Sequence, residues 1–122
     1  MILADKQSSS AGQWAFRSKI WLEVGGRAVI GSGRMAMLES IHRNGSMLNA
    51  AREIGIPYRR VREAIQDMED AVGRPLVKAY SGGSEGGGAQ LTDTAHELLA
   101  SYNEISDRFQ REITARFTEV FG

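Results

Sequence analysis

Between Ser46 and Val72 the chain reads SMLNAAREIG and then IPYRRVREAIQDMEDAV, and few folds accommodate that stretch. Two helices joined by a tight turn at Gly55-Ile56-Pro57 satisfy it. Ser46 can cap the first helix, its hydroxyl accepting a bond from an early N–H that has no partner inside the helix. Gly55 stands where a left-handed residue closes that helix without steric cost. In the second helix Val61, Ile65, Met68 and Val72 recur at spacings of four, three and four, which places them on one face. Arg59, Arg62 and Gln66 then point away from it. A short helix, a glycine-bearing turn and an arginine-rich second helix describe a helix-turn-helix, whose second helix would enter a DNA major groove.

Charge supports that reading through its distribution rather than its sum. Among 122 residues, 15 Lys+Arg balance 15 Asp+Glu, so the chain is not uniformly basic. From Arg52 to Arg62, however, four arginines (Arg52, Arg59, Arg60, Arg62) stand against the single acid Glu53. From Glu63 to Asp70 four acids follow without a base. Positive charge therefore gathers at the turn and at the start of the second helix, where a groove reader needs it. The plain alternative is a solvated helix of mixed charge.

The length suits one domain, and a 42% hydrophobic content suits a folded one. With no cysteine, disulfides and thiolate metal sites are excluded. No apolar run approaches the roughly 20 residues of a membrane helix. The opening MILADKQSSSAGQW lacks the basic-then-apolar order of a secretory signal, so a cytoplasmic location is expected.

Residues 1–16 are polar and Ser-rich and are expected to form a disordered tail. Lys19 to Val24 alternates, with Ile20, Leu22 and Val24 facing one way. Gly25-Gly26 can supply the positive φ angles of a hairpin turn, and Arg27 to Ile30 would return as the second strand. Gly31-Ser32-Gly33-Arg34-Met35-Ala36 then matches the G-x-G-x-x-A dinucleotide fingerprint after a predicted strand. Its continuation is missing: the acid about 20 residues on, Glu53, lies inside a helical pattern, and no parallel strand follows. A better account has Ser32 capping a helix whose Met35, Leu38 and Ile41 face the core and which ends near Asn44-Gly45.

Gly73 and Pro75 end the second helix of the motif. Leu76 to Tyr80 reads as a short strand, Ser81 to Ala89 as a flexible glycine-rich tip, and Gln90-Leu91 as the start of a return strand. Such a hairpin behind a recognition helix is a wing; the alternative is a plain linker. From Thr92, a good cap, Leu98, Tyr102, Ile105, Phe109, Ile113, Phe117 and Val120 follow a helical seam to the end. About 28 residues of helix would measure about 42 Å. Its far half presents Phe109, Ile113, Phe117 and Phe121, a stripe that water does not tolerate alone. Packing against a second copy resolves this; folding back on the same chain is the alternative.

The predicted fold is thus mainly α with small β: a winged helix-turn-helix with an N-terminal β-hairpin and a long C-terminal dimerisation helix. The predicted divisions are a tail at 1–16, the winged domain at 17–91 and the long helix at 92–122.

At this point the chain resembles the N-terminal DNA-binding domain of molybdate-responsive ModE-type transcription regulators, relatives of the LysR-type winged helices. The resembling residues are Gly31-Ser32-Gly33-Arg34, Leu38-Glu39-Ser40-Ile41, Asn44-Gly45-Ser46, Ala50-Ala51-Arg52 and Tyr58-Arg59-Arg60. They continue through Gly73-Arg74-Pro75-Leu76-Val77, Gly82-Gly83, Gly86-Gly87-Gly88-Ala89 and Leu91-Thr92, covering roughly residues 17–105. The resemblance implies a bacterial regulator that dimerises through its first and last helices and binds a palindromic operator. Three positions depart from the family: Pro57 replaces a capping Ser, Val61-Arg62 replaces Ala-Trp, and Ser84-Glu85 replaces a basic wing tip. The family's molybdate-binding domain has no counterpart in this sequence, so molybdate binding is not expected.

The expected function is a sequence-specific, dimeric regulator on double-stranded DNA, without a cofactor or a membrane. Tyr58, Arg59, Arg60 and Arg62 would enter the major groove, where an arginine can bond a guanine edge at two points. Ser46, Asn49, Lys78 and the wing N–H groups at Gly82 and Gly83 would hold phosphates. Leu99, Tyr102, Ile105, Phe109, Ile113 and Phe117 would form the dimer seam. The alternative is a winged-helix protein-interaction module that no longer binds DNA. An enzyme is not expected: His42 and His96 show no metal-ligand spacing, and no catalytic pattern appears.

Overall fold

The protein is described by a computed structural model that covers residues 12–81 and 87–122. Its elements run β1 (Trp21–Val24), β2 (Arg27–Gly31), α1 (Ser32–Asn44), α2 (Met47–Ile54), α3 (Tyr58–Val72), β3 (Val77–Tyr80), β4 (Gly88–Leu91) and α4 (Asp93–Phe121). Each of the two sheets is an antiparallel pair, β1 with β2 and β3 with β4. The contacts divide into a larger unit, residues 20–102, and a smaller one in which residues 12–19 accompany 103–122.

In the larger unit, Gly25 and Gly26 turn the first hairpin with φ of 60° and 81°, the two positive angles that suit the twist of its strands. The register shifts between Leu22 and Glu23, a local bulge. The expected burial of one face of β1 does not occur: all four of its residues are exposed, and Ile20 before it is half-buried. Val29 and Ile30 of β2 attach the hairpin to the core instead, leaving β1 on the outside.

The cap expected of Ser32 is also replaced. Ser32 is the first helical residue of α1, Gly31 holds the cap position, and no side chain bonds there. Gly31 is still paired with Trp21 in the ladder, so the chain enters the helix directly from the strand. From there the helical period holds. Met35, Leu38 and Ile41 are buried, and Gly45 ends α1 with φ of 63°.

Ser46 caps α2, its Oγ accepting the Asn49 N–H at 3.1 Å. Gly55 closes the helix at φ 85°, donating its N–H to the Ala51 carbonyl at 2.8 Å. Pro57 precedes α3 without a side-chain bond, and Gly73 ends it. Val61, Ile65 and Met68 of α3 meet Leu38 and Ile41 of α1, Ala50 and Ala51 of α2, and Leu76, Leu91 and Ala95 in one apolar core. Val72, at the end of the stripe, is only half-buried.

The return strand β4 begins at Gly88, two residues before the expected Gln90, because Gly88 pairs with Tyr80. A Cβ on Gly88 would lie 2.6 Å from the Tyr80 hydroxyl oxygen, so the Tyr80 ring lies against this glycine. Gly82, Gly83, Ser84 and Glu85 lie outside the described residues. Three attachments fix the base of this hairpin. Glu69 Oε2 accepts the N–H groups of Leu76 (2.7 Å) and Val77 (3.2 Å). Thr92 donates its N–H to the Leu76 carbonyl (3.0 Å) and its hydroxyl to the Pro75 carbonyl (2.8 Å). Ala89 donates its N–H to the Gly45 carbonyl at 2.8 Å. The Thr92 Oγ1 also accepts the Ala95 N–H at 3.2 Å, the expected cap of α4.

Within the larger unit Leu98, Leu99 and Tyr102 of α4 pack on the core, and Tyr102 donates its hydroxyl to the Ile20 carbonyl at 2.8 Å. In the smaller unit Trp14 stacks on Phe121 at 5.7 Å between ring centroids, and Phe121 on Phe117 at 4.9 Å. Two helices joined by a glycine turn, a third before them and a hairpin after them make the larger unit a winged helix-turn-helix. Among the described residues, no helix is long and apolar enough to cross a membrane.

Candidate nucleic-acid interface

The period of α3 that buries Val61, Ile65 and Met68 leaves Tyr58, Arg59, Arg60, Arg62 and Gln66 exposed. Their electrostatic setting depends on what the nearby acids do. Asp67 is engaged by two basic side chains from other elements: it accepts Arg34 Nη1 at 2.8 Å and is also bonded by Arg27. The Arg34 hydrogen bond, and then the Arg27 charge, hold its carboxyl below its ordinary value of 3.8. Arg34 further donates to the Val29 carbonyl at 2.7 Å, so α3, α1 and β2 are joined at one point. Glu69 is bonded to backbone N–H groups at the base of the wing, and Asp70 accepts from Gln66 at 2.9 Å.

Among the described residues Glu63 is the acid that approaches these arginines, 4.0 Å from Arg59 with both side chains largely exposed, a pair worth little. Among the described residues Arg60 and Arg62 make no ion pair. The Arg62 guanidinium lies 5.9 Å from the Tyr58 ring centroid, a cation–π approach that restrains the arginine on the exposed face.

The helix before the turn is placed by a second acid. Ser40, fully buried in α1, donates its hydroxyl to Glu53 of α2 at 2.6 Å, and Arg43 and Asn44 reach the same oxygen. The Ser40 bond and the Arg43 bond lower the Glu53 carboxyl from its ordinary 4.5. Glu53, the one acid among the four arginines of this stretch, is therefore matched by Arg43 from outside it.

Two clefts border this surface. One, of about 410 Å³, lies between α3 and β3 and is lined by Arg59, Arg62, Glu63, Gln66, Val77 and Ala79, with Met47, Ile65 and Glu69. The other, of about 600 Å³, runs from Ser46, Asn49 and Arg52 of the α2 region past Tyr58 to Ala79, Tyr80 and Gly87 to Ala89. Met47 and Ala79 line both. Of the residues expected to contact DNA, Ser46, Asn49, Tyr58, Arg59 and Arg62 thus come together. Arg60 and Lys78 are exposed but line neither cleft.

Sequence reasoning left out Arg52, Gln66 and Tyr80, which share these clefts. The local charge balance already counted Arg52, and the α3 period already turned Gln66 outward. Tyr80 gave no comparable signal, because its place depends on pairing with Gly88.

The residues expected at a dimer seam fall into three settings. Leu99 and Tyr102 pack on the core of the larger unit. Ile105 and Phe109 are exposed, 61% and 51%, far more than apolar side chains of a finished core. Ile113 and Phe117 line an apolar cleft of about 320 Å³ with Phe16, Val120 and Phe121. His42 and His96, far apart in sequence, meet edge to face at 5.0 Å between ring centroids. Among the described residues, no three His, Cys, Asp or Glu groups cluster to hold a metal.

The chain is 41% identical over 78 residues to the molybdenum-pterin-binding protein MopB of Rhodobacter capsulatus, a match covering 64% of this chain and 29% of that one. With the molybdenum transport protein ModE of Azotobacter vinelandii it shares 31% identity over 110 residues, covering 88% of this chain and 41% of ModE. The chain therefore spans well under half the length of these relatives. Full-length CbnR, solved in complex with its target DNA, superposes on 70% of this chain with a TM-score of 0.53 at 19% identity, covering 28% of CbnR, a likeness of fold. The resemblance to ModE-type regulators expected from the sequence holds, and the family description "bacterial regulatory helix-turn-helix protein, lysR family" matches residues 33–108, more than half of the chain. By that match the protein belongs to the lysR family of bacterial regulatory helix-turn-helix proteins.

Proposed function

We propose that this chain is a sequence-specific transcription regulator that binds double-stranded DNA as a dimer, with α3 as its recognition helix. One observation carries the reading. Three of the four acids of α3 are bonded elsewhere in the protein, Asp67 to Arg27 and Arg34, Glu69 to the wing backbone and Asp70 to Gln66, and Glu63 lies 4.0 Å from Arg59, whereas Arg60 and Arg62 face outward without an ion partner among the described residues. A chain of zero net charge thereby presents a local positive surface at the start of α3. Tyr58, Arg59, Arg60 and Arg62 read base edges in the major groove, and Ser46, Asn49 and Lys78 hold phosphates. Gly82 and Gly83 are proposed to add backbone N–H contacts from the wing. The family description supports a regulator of this kind, as does the DNA in the CbnR complex.

The second copy packs along α4, with Ile105 and Phe109 in the seam together with Ile113, Phe117 and parts of Leu99 and Tyr102. Two-fold symmetry then sets half-sites about 34–36 Å apart. No molybdate ligand is proposed for this chain.

A gel shift with genomic fragments at two salt concentrations tests the reading. Affinity should fall steeply as salt rises, because neutralised phosphates release counterions. Binding indifferent to salt, or no binding at all, would sink it. The zero net charge favours a second reading, a winged-helix protein-interaction module. An Arg59→Ala/Arg60→Ala double variant that keeps a protein partner, from a wild type without DNA affinity, would establish that module instead.

A further inference from the structure

The wing leaves α3 through Gly73, Arg74 and Pro75, and its angle to the recognition helix is fixed by the few bonds at its base. Glu69 makes two of them. It sits one turn before the end of α3, and its Oε2 accepts the N–H of Leu76 at 2.7 Å and of Val77 at 3.2 Å. Glu69 thus holds the first strand of the wing on the helix that displays Arg59 and Arg62, and all three line the same cleft beneath Val77 and Ala79.

The remaining attachments differ in kind. Thr92 holds the carbonyls of Pro75 and Leu76 from the far side, and Ala89 bonds the turn between α1 and α2. Without Glu69 the hairpin stays packed on the core through Leu76 and Leu91, but among the described residues no side-chain hydrogen bond from α3 restrains its swing. A strand rises about 3.3 Å per residue, so ten degrees of slack about Val77 moves the Lys78 backbone by about 0.6 Å and Tyr80, about 10 Å out, by about 2 Å. Hydrogen bonds to phosphate tolerate only a few tenths of an ångström.

We infer that Glu69 is a positioning residue for DNA: its grip on Leu76 and Val77 sets the spacing between the arginines of α3 and the wing's Lys78, so that both reach one duplex. This inference rests on the DNA-binding reading.

The test uses a duplex that the wild-type protein recovers from a random-sequence pool, with four proteins: wild type, Glu69→Met, Lys78→Ala and the double variant. Glu69→Met keeps the length of the side chain and removes the acceptor. It should weaken binding about tenfold and reduce the slope of log K against log salt by about one, the share of a single phosphate contact. Lys78→Ala should then cost little more in the Glu69→Met background, since the contact is already lost. Glu69→Gln keeps an acceptor oxygen and should bind within about threefold of wild type. A fall in melting temperature alone moves neither the salt slope nor the coupling to Lys78.

An unchanged slope in Glu69→Met, with Lys78→Ala equally costly in both backgrounds, overturns the inference while the DNA reading stands. If Glu69→Met does not fold, Glu69→Asp, whose carboxylate is withdrawn by one methylene, is held to the same two outcomes. A wild type that recovers no duplex overturns both readings together.

Discussion

Ser40 lies fully buried in α1 and donates its hydroxyl to Glu53 of α2 at 2.6 Å, joining the two helices through an ionised acceptor. Burying a hydroxyl without a partner is costly, so this bond helps to hold α2 on α1. The Ser40 bond also favours the charged form of Glu53, as Arg34 and Arg27 do for Asp67.

Both carboxyls therefore have folded values below their ordinary 4.5 and 3.8. A group depressed by folding contributes stability that is fully present above its unfolded value and is lost as pH falls through the folded one. Unfolding by urea should give a free energy that is level from neutrality down to about pH 5 and then declines toward pH 3. Glu53→Gln and Asp67→Asn should each be less stable at neutrality and lose less on acidification. A variant that declines as steeply as the wild type would show that its carboxylate is not the group being titrated.

Ser46 closes the entry to α2 by accepting the Asn49 N–H. Ser46→Ala should cost about 1 kcal/mol, and Ser46→Gly only a few tenths. The readout is the urea midpoint at constant slope. Equal losses for the two variants would mean that the hydroxyl is not the stabilising group.

Gly87 and Gly88 are close neighbours with different demands. A Cβ on Gly87 would run into the Tyr80 carbonyl oxygen, whereas one on Gly88 would meet the far end of the Tyr80 ring. Backbone cannot step aside cheaply, but an exposed ring can rotate. Gly87→Ala should therefore cost about 1–3 kcal/mol, and Gly88→Ala under about 1 kcal/mol. Thermal melting of both variants checks the order, and the reverse order would refute it.

Ile105 and Phe109 expose apolar surface that an isolated chain leaves in water. In sedimentation the wild type should show a mass that rises with concentration toward a dimer. Ile105→Asp/Phe109→Asp should weaken association by at least about a hundredfold, since buried aromatic anchors carry most of such an interface. A wild type that stays monomeric at high concentration would disprove the seam.

Much of this molecule could be read from the order of its residues. Val61, Ile65 and Met68 gave α3 its buried face because a helical period needs no knowledge of its partners. Ser46, Gly55, Gly73 and Thr92 marked helix ends because capping is local chemistry. The errors arose where a distant partner decides. Ser32 looked like a cap, yet Gly31 is still held by Trp21 on the other strand. Leu22 and Val24 alternated like a half-buried strand, but all four residues of β1 are exposed.

At the candidate interface, the outward arginines were visible and the disposition of the acids was not. Nothing in the run Glu63 to Asp70 reveals that Asp67 belongs to Arg34 or that Glu69 belongs to the wing. Nor does their spacing announce that the rings of His42 and His96 touch.

Thr92 serves two structures with one hydroxyl, giving its proton to Pro75 and its lone pair to Ala95. Levering the hairpin away from the body therefore unpicks the first coil of the longest helix. A tug on one is therefore felt at the root of the other.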